Sequence, residues 1–281
     1  MKQKLIFLDI DGTLLPPGEM TVPDSAVAAL RRARANGHKL FLCTGRNLRM
    51  TAPLFHYGFD GFVCSAGGYV GCEGKVLVDL PMEPEQVRGL RAALQACGAE
   101  CTLEVRDDTY GGIKMIERFA NLFPKKPGQT NSEAERWRKM MEFGMTIRPI
   151  EEYHGEPVYK IVFIAPNEAC LTEVKRQYED QFVFCESRLG DEGGGIVNGE
   201  LINRKFNKGS GIRAICTHLG CSLADTIGFG DSDNDLQMTD VVGISVCMAN
   251  GSDNLKKRCD RICPAVTDDG IAREFAALGL I

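Results

Sequence analysis

The side chains in this sequence that could do chemistry fall in four short polar groups. The first is Asp9-Ile10-Asp11-Gly12-Thr13, reached through the apolar run Leu5-Ile6-Phe7-Leu8. On a continuing strand Asp9 and Asp11 would share one face, about 7 Å apart from Cα to Cα, and Gly12 allows the loop to fold so that they converge. Two neighbouring carboxylates repel each other unless something positive lies between them. A hard cation such as Mg²⁺ meets that need. Taken alone, Asp11-Gly12 reads equally well as an ordinary Asp-Gly turn.

The other three groups decide between those readings. Thr44-Gly45-Arg46 follows the apolar run Leu40-Phe41-Leu42-Cys43, Asn207-Lys208-Gly209 opens a helical pattern, and Gly230-Asp231-Ser232-Asp233-Asn234-Asp235 follows Ile227-Gly228-Phe229. Alone, Thr44 would read as a helix cap and Lys208 as a solvated charge. Phosphoryl transfer needs a nucleophile, a divalent metal with acidic ligands and donors for the equatorial oxygens, and the four groups together supply each once. Asp9 is then the nucleophile, forming an aspartyl phosphate. Asp11 is the acid and base, protonating the leaving oxygen and later taking a proton from water. Mg²⁺ is expected on Asp9, the backbone carbonyl of Asp11 and Asp231, while Thr44 and Lys208 hold the phosphoryl oxygens.

The elements that must position these groups follow an alternating pattern. A helix that starts at Thr21-Val22-Pro23-Asp24 separates the first two apolar runs, and Asn36-Gly37 stops it. Strand, helix, strand with polar strand ends is a βαβ unit whose ligand side is the carboxyl end. A third strand, Asp60-Gly61-Phe62-Val63-Cys64, leads into Ser65-Ala66-Gly67-Gly68, and Tyr69-Val70 with Val76-Leu77-Val78 suggests a hairpin. From Pro81 the texture changes to single helices and strands without polar strand ends: a helix at Pro84 to Cys97, strands at Cys101 to Val105, Val158 to Ala165 and Phe182 to Cys185, a helix at Asn167 to Tyr178, and a charged helix from Ser132 to Phe143 carrying Trp137. This reads as a second α+β domain at 82–189, inserted into a first domain formed by 1–81 and 190–281.

Composition narrows the function classes. At 281 residues, 44% hydrophobic and a formal charge of −5, the chain shows no basic run of the kind that binds nucleic acid. No stretch approaches the ~18 uninterrupted apolar residues of a membrane span, and the N-terminus lacks a signal-peptide apolar region. The expected location is the cytoplasm. Twelve cysteines are scattered singly through apolar runs, where cysteine acts as a small hydrophobe rather than as a zinc or disulfide framework.

With these motifs in order, the sequence resembles the haloacid-dehalogenase-like superfamily, specifically its Cof-type phosphatases with a C2 (IIB) cap. The motifs are those of the four groups, and Met248-Ala249-Asn250-Gly251 and Thr267-Asp268-Asp269-Gly270 extend the match towards the end of the chain. The resemblance implies an α/β fold: a Rossmann-like three-layer core with a mainly parallel sheet, plus the inserted cap. It implies a Mg²⁺-dependent phosphomonoester hydrolase, monomeric or homodimeric, whose partner is a small phosphorylated metabolite such as a sugar phosphate or phosphorylated cofactor. Gly45 and Arg46 are implied at the phosphate beside Thr44. Asn234 and Asp235 are implied as supporting groups, one near the phosphate or metal waters and the other orienting the lysine. Arg188 is a candidate cap contact. The acid two residues beyond the nucleophile favours phosphatase over dehalogenase chemistry. A phosphomutase on the same fold, or a silent metal- or ligand-binding protein, is the alternative. One departure bears on substrate preference: the third strand of the family usually leads into Asn-Gly, whereas here Ala66 precedes Gly67.

Overall fold

The computed structural model describes residues 2–112, 147–189 and 195–281. Within these the chain divides into two compact units, one formed by Met1–Asp79 and Phe206–Ile281, the other by residues between Leu80 and Lys205.

The first unit is an α/β core. Its elements are β1 (Leu5–Leu8), α1 (Asp24–Ala35), β2 (Lys39–Cys43), α2 (Leu48–Thr51), β3 (Gly61–Cys64), β4 (Tyr69–Cys72) and β5 (Lys75–Asp79). The eight-stranded sheet is completed after the insertion, in the order β14-β13-β12-β1-β2-β3-β4-β5. There β12 is Thr226–Gly230, β13 Ile244–Met248 and β14 Arg261–Cys263. Every pairing from β14 to β3 is parallel, and the β3-β4-β5 end is antiparallel. β1 is buried along its whole length, as a parallel strand covered on both faces must be. Ile6 and Leu8 enter one core with Leu30, Phe229 and Phe275. Leu5 and Phe7 enter the other with Phe41, Ile212 and Ile215. The period of two thus sends alternate residues of one run into two cores.

The helix expected at Asp24–Ala35 forms because Ala26, Ala29, Leu30 and Ala33 make one buried stripe, and Gly37, at φ +88°, lets the chain turn away from it. No helix among the described residues is long and apolar enough to cross a membrane. All twelve cysteines are free thiols.

The second unit contains α3 (Pro84–Ala96), β6 (Glu100–Val105), β7 (Thr109–Gly111), β8 (Arg148–Pro149), β9 (Val158–Ala165), α4 (Thr172–Tyr178), β10 (Phe182–Leu189) and β11 (Ile196–Asn203). Its sheet runs β10-β11-β9-β6-β7-β8. Val87, Leu90 and Leu94 of α3 and Leu171, Val174 and Tyr178 around α4 pack with Leu103, Ile161, Phe163 and Leu201 of the sheet. The return to the first domain is expected at 190 from the sequence, and the first unit resumes at Phe206. β11 pairs with β10 over eight residues, from Phe182 with Asn203 to Leu189 with Ile196, and so belongs to the inserted unit. Its Asn198, Gly199 and Glu200 interrupt the apolar pattern, which is why the run does not read as a strand in the sequence. The helix expected at Ser132 to Phe143, with Trp137, lies outside the described residues.

Candidate active site

The remaining core elements are α5 (Lys208–Leu219), α6 (Leu236–Thr239), α7 (Asp253–Lys256) and α8 (Gly270–Ala277). The carboxyl ends of the neighbouring strands β12, β1, β2 and β3 converge on one place, where strand order reverses around β1. Asp9 leaves β1 with its N–H still bonded to the Phe229 carbonyl at 3.0 Å. The chain then folds back, with the Leu14 and Leu15 N–H groups both donating to the Ile10 carbonyl at 3.0 and 2.8 Å. Gly12, at φ +85°, allows this turn and also a close approach: a methyl group there would lie 2.2 Å from Asp231 Oδ2. Only a residue without a side chain lets the first and last acidic loops come together.

Lys208 reaches the same point from the start of α5. Its N-cap, Asn207, accepts from the Ser210 N–H at 2.9 Å while the Ser210 hydroxyl accepts from the Asn207 N–H at 2.9 Å, so the first turn is held reciprocally. The lysine is 1% exposed. Nζ donates to Asp9 Oδ1 at 2.6 Å, Asp235 Oδ1 at 2.6 Å and Asn234 Oδ1 at 3.1 Å, which uses all three donors of an ammonium. Burial acts to lower the Lys208 pKa, but Asp235 and Asp9 outweigh it and hold the amine above its ordinary range. The cation is structural as well as chemical, because it compensates two buried carboxylates.

One carboxylate oxygen from each of Asp9, Asp231 and Asp235 lies within 4.8 Å of the others. Asp235 is nevertheless engaged on both oxygens: Oδ1 takes Lys208, and Oδ2 accepts the N–H groups of Asp231 at 3.0 Å and Ser232 at 3.2 Å. It shapes the loop that carries Asp231 and fixes the lysine, and is the less suited of the three to ligate a cation. Asp231 is oriented by Thr13, whose Oγ1 donates to its Oδ1 at 3.2 Å. Burial, together with Asp235 and Asp11 and against the pull of Lys208, pushes Asp9 up to about 7. Burial, then Asp9 and Asp235, pushes Asp231 up to about 8. Two neighbouring acids that resist ionising together are what a divalent cation between them would relieve. The donor set, carboxylate oxygens, suits a hard ion.

Thr44 follows β2, and its N–H donates to the Val63 carbonyl at 2.8 Å. Its Oγ1 accepts from the Arg46 N–H at 3.1 Å, which leaves its own hydrogen to donate. The loop after β3 packs against both phosphate-side groups. The Ala66 N–H donates to the Thr44 carbonyl at 3.0 Å, and the Ser65 N–H to the Arg46 carbonyl at 2.8 Å. A methyl at Gly67 would lie 2.3 Å from the Asn207 carbonyl oxygen. To fit there, Ser65, Ala66 and Gly67 adopt φ values of +49°, +56° and +109°. Left-handed backbone is costly for serine and alanine.

Asp9, Lys208, Asp231, Asn234 and Asp235 therefore come together around one centre, and Thr44, at the end of the neighbouring strand, is joined to Asp11 through Arg46. Two of the expected residues pair with each other. The Asp11 carboxylate, expected as the acid and base, is held by Arg46, whose Nε and Nη2 donate to its Oδ2 and Oδ1 at 2.9 and 2.6 Å. Arg46, expected beside the phosphate, is bound to that carboxylate. Arg188 lies in β10, in register with Val197, and its side chain lies outside the described residues. Two contributors were not assigned roles from sequence. One is Thr13. The other is Asn250, whose Nδ2 donates to the Gly12 carbonyl at 2.8 Å and whose Oδ1 accepts from the Val266 N–H at 3.0 Å, bracing the first loop. Their presence inside recurring motifs was the available signal.

A family profile described as haloacid dehalogenase-like hydrolase matches residues 6–275. The chain is 26% identical to a 5-amino-6-(5-phospho-D-ribitylamino)uracil phosphatase of Bacillus subtilis, over 97% of this chain and 96% of the relative. It is 28% identical to an HMP-PP phosphatase of Yersinia enterocolitica, over 92% and 88%. Among solved structures, the subclass IIB sugar phosphatase BT4131 superposes with a TM-score of 0.75 at 23% identity, covering 99% of this chain and 100% of that one. That likeness carries the fold.

Proposed function

We propose that this chain, which belongs to the haloacid dehalogenase-like hydrolase family, is a Mg²⁺-dependent phosphatase that removes the phosphate of a small phosphorylated metabolite through an aspartyl phosphate. The observation that carries the reading is the pairing of a buried carboxylate, Asp9, with the half-buried carboxylate of Asp231, and a buried lysine on Asp9 at 2.6 Å. That arrangement has a nucleophile, a counter-charge and a place for a divalent ion within one centre.

Asp9 attacks phosphorus through a carboxylate oxygen, and the bond from phosphorus to the leaving oxygen breaks. Asp11 gives its proton to that oxygen, so an alcohol departs. In the second step water attacks the phosphorus, Asp11 takes a proton from it, and the bond to Asp9 breaks to release inorganic phosphate. The Thr44 hydroxyl stabilises an equatorial phosphoryl oxygen, and the Lys208 ammonium stabilises another by exchanging its 3.1 Å contact with Asn234 for the phosphoryl group. Asp9, Asp231 and the Asp11 carbonyl would hold Mg²⁺, which when bound neutralises charge on the transferring group.

The relatives' names point to phosphorylated metabolites as the substrate class, and selection of the leaving group is assigned to the inserted unit. The test is release of inorganic phosphate from an aryl phosphate with Mg²⁺. Asp9→Asn should abolish release. Lack of turnover in the unmodified protein, with metal binding retained, would instead indicate a binding protein.

A further inference from the structure

Arg46 makes a two-pronged contact to a single carboxylate. Nε donates to Asp11 Oδ2 at 2.9 Å and Nη2 to Oδ1 at 2.6 Å, the planar fork geometry that a lysine cannot reproduce. The two partners are held very differently. Arg46 is 6% exposed and tied at three further points: its N–H to Thr44 Oγ1 at 3.1 Å, its carbonyl to the Ser65 N–H at 2.8 Å, and Nη1 to the Met50 carbonyl at 3.4 Å. The Asp11 side chain is 27% exposed. A buried and multiply anchored cation thus grips a more exposed carboxylate.

We propose that Arg46 is a positioning residue for the proton-transfer steps: it holds the Asp11 carboxylate in the orientation from which the leaving oxygen is protonated. This rests on the phosphatase reading above. The fork occupies one lone pair on each Asp11 oxygen, and each oxygen keeps another. Asp11 can therefore release a proton to the leaving oxygen as the phosphorus–oxygen bond breaks, and recover one from the attacking water, without leaving the guanidinium. Without Arg46 the carboxylate would gain rotamers and be repelled by the charges of Asp9 and Asp231.

The test is a double-mutant cycle read in single turnovers, which follow departure of the leaving group alone. Arg46→Met, Asp11→Asn and the double variant are compared on phenyl phosphate and p-nitrophenyl phosphate with Mg²⁺. Phenolate is a poor leaving group that needs protonation, and p-nitrophenolate needs little. Arg46→Met is expected to slow phenyl phosphate by about 10²-fold and p-nitrophenyl phosphate by less than about 10-fold. In the Asp11→Asn background it should cost almost nothing more, because both changes remove one function. If Arg46→Met does not fold, Arg46→Lys, which keeps the charge without the fork, carries the same cycle. Equal losses on both substrates, or the same loss with and without Asp11, would overturn the inference and place the guanidinium on the phosphate. Failure of the phosphatase reading would look different: the unmodified protein would release no phosphate, or Asp9→Asn would release it as fast.

Discussion

Lys208 Nζ lies 2.6 Å from Asp9 Oδ1, a contact that joins residues 199 positions apart in the chain. It closes the proposed catalytic centre between segments that lie on either side of the inserted unit in the sequence. Lys208→Met would leave Asp9 and Asp235 buried without their cation. Breaking a buried pair in this way costs about 3–5 kcal/mol. Chemical denaturation should show a loss of that order together with loss of phosphatase activity. A variant as stable as the unmodified protein would mean that the lysine does not compensate these acids.

The raised acids predict how Mg²⁺ and pH act together. Asp9 at about 7 and Asp231 at about 8 keep protons that an unfolded chain has lost above about pH 4. The metal-free folded state therefore loses stability as pH rises through that window. Mg²⁺ must displace those protons to bind, so its stabilisation grows as they leave. The rise in melting temperature produced by a fixed Mg²⁺ concentration should be larger at about pH 8 than at about pH 6. An equal or smaller rise at the higher pH would contradict the assignment of these two ligands.

His38 sets a different limit, on the acid side. It is buried, and its Nδ1 accepts from the Lys4 N–H at 3.0 Å. Burial and the nearby Lys4 charge hold its pKa below the ordinary 6.5. Below that pH the unfolded chain takes up a proton that the folded one resists, so stability falls as pH drops. His38→Gln should flatten the decline in melting temperature between about pH 6.5 and pH 5. An unchanged slope would assign that decline to other groups.

Ala66 occupies left-handed backbone at φ +56°. That conformation costs roughly 1–2 kcal/mol for a residue with a Cβ, and glycine gives back roughly 0.5–1 kcal/mol through unfolded-state entropy. Ala66→Gly should therefore stabilise the protein by up to about 1 kcal/mol in a denaturant titration. Destabilisation would mean that the Ala66 methyl contributes more to packing than the turn costs.

Much of the core was legible because the strands that carry chemistry are both apolar and abruptly terminated. Leu5–Leu8 and Thr226–Gly230 end in Asp9 and Asp231, and a buried parallel strand tolerates such polar residues only at its mouth. Asp9, Thr44 and Asp231 could be grouped because each stands at such an end, and Lys208 joins them from the start of a helix. β11 was not legible, since Asn198, Gly199 and Glu200 break its apolar run and its identity depends on pairing with β10. The Arg46–Asp11 fork was hidden for a related reason. A sequence shows that a guanidinium and a carboxylate exist, while the choice between a phosphate and that carboxylate is made by how the Ser65–Gly67 turn and Thr44 fix the arginine backbone.

A crystal structure of the protein with Mg²⁺ and beryllium fluoride tests the central claim most directly, because the fluoride mimics a phosphoryl group bonded to a carboxylate. The account predicts beryllium bonded to an Asp9 oxygen, the Thr44 hydroxyl and Lys208 Nζ on its fluorides, and Mg²⁺ in contact with Asp9 and Asp231. Beryllium fluoride on another residue, or Mg²⁺ bound without Asp231, would contradict it.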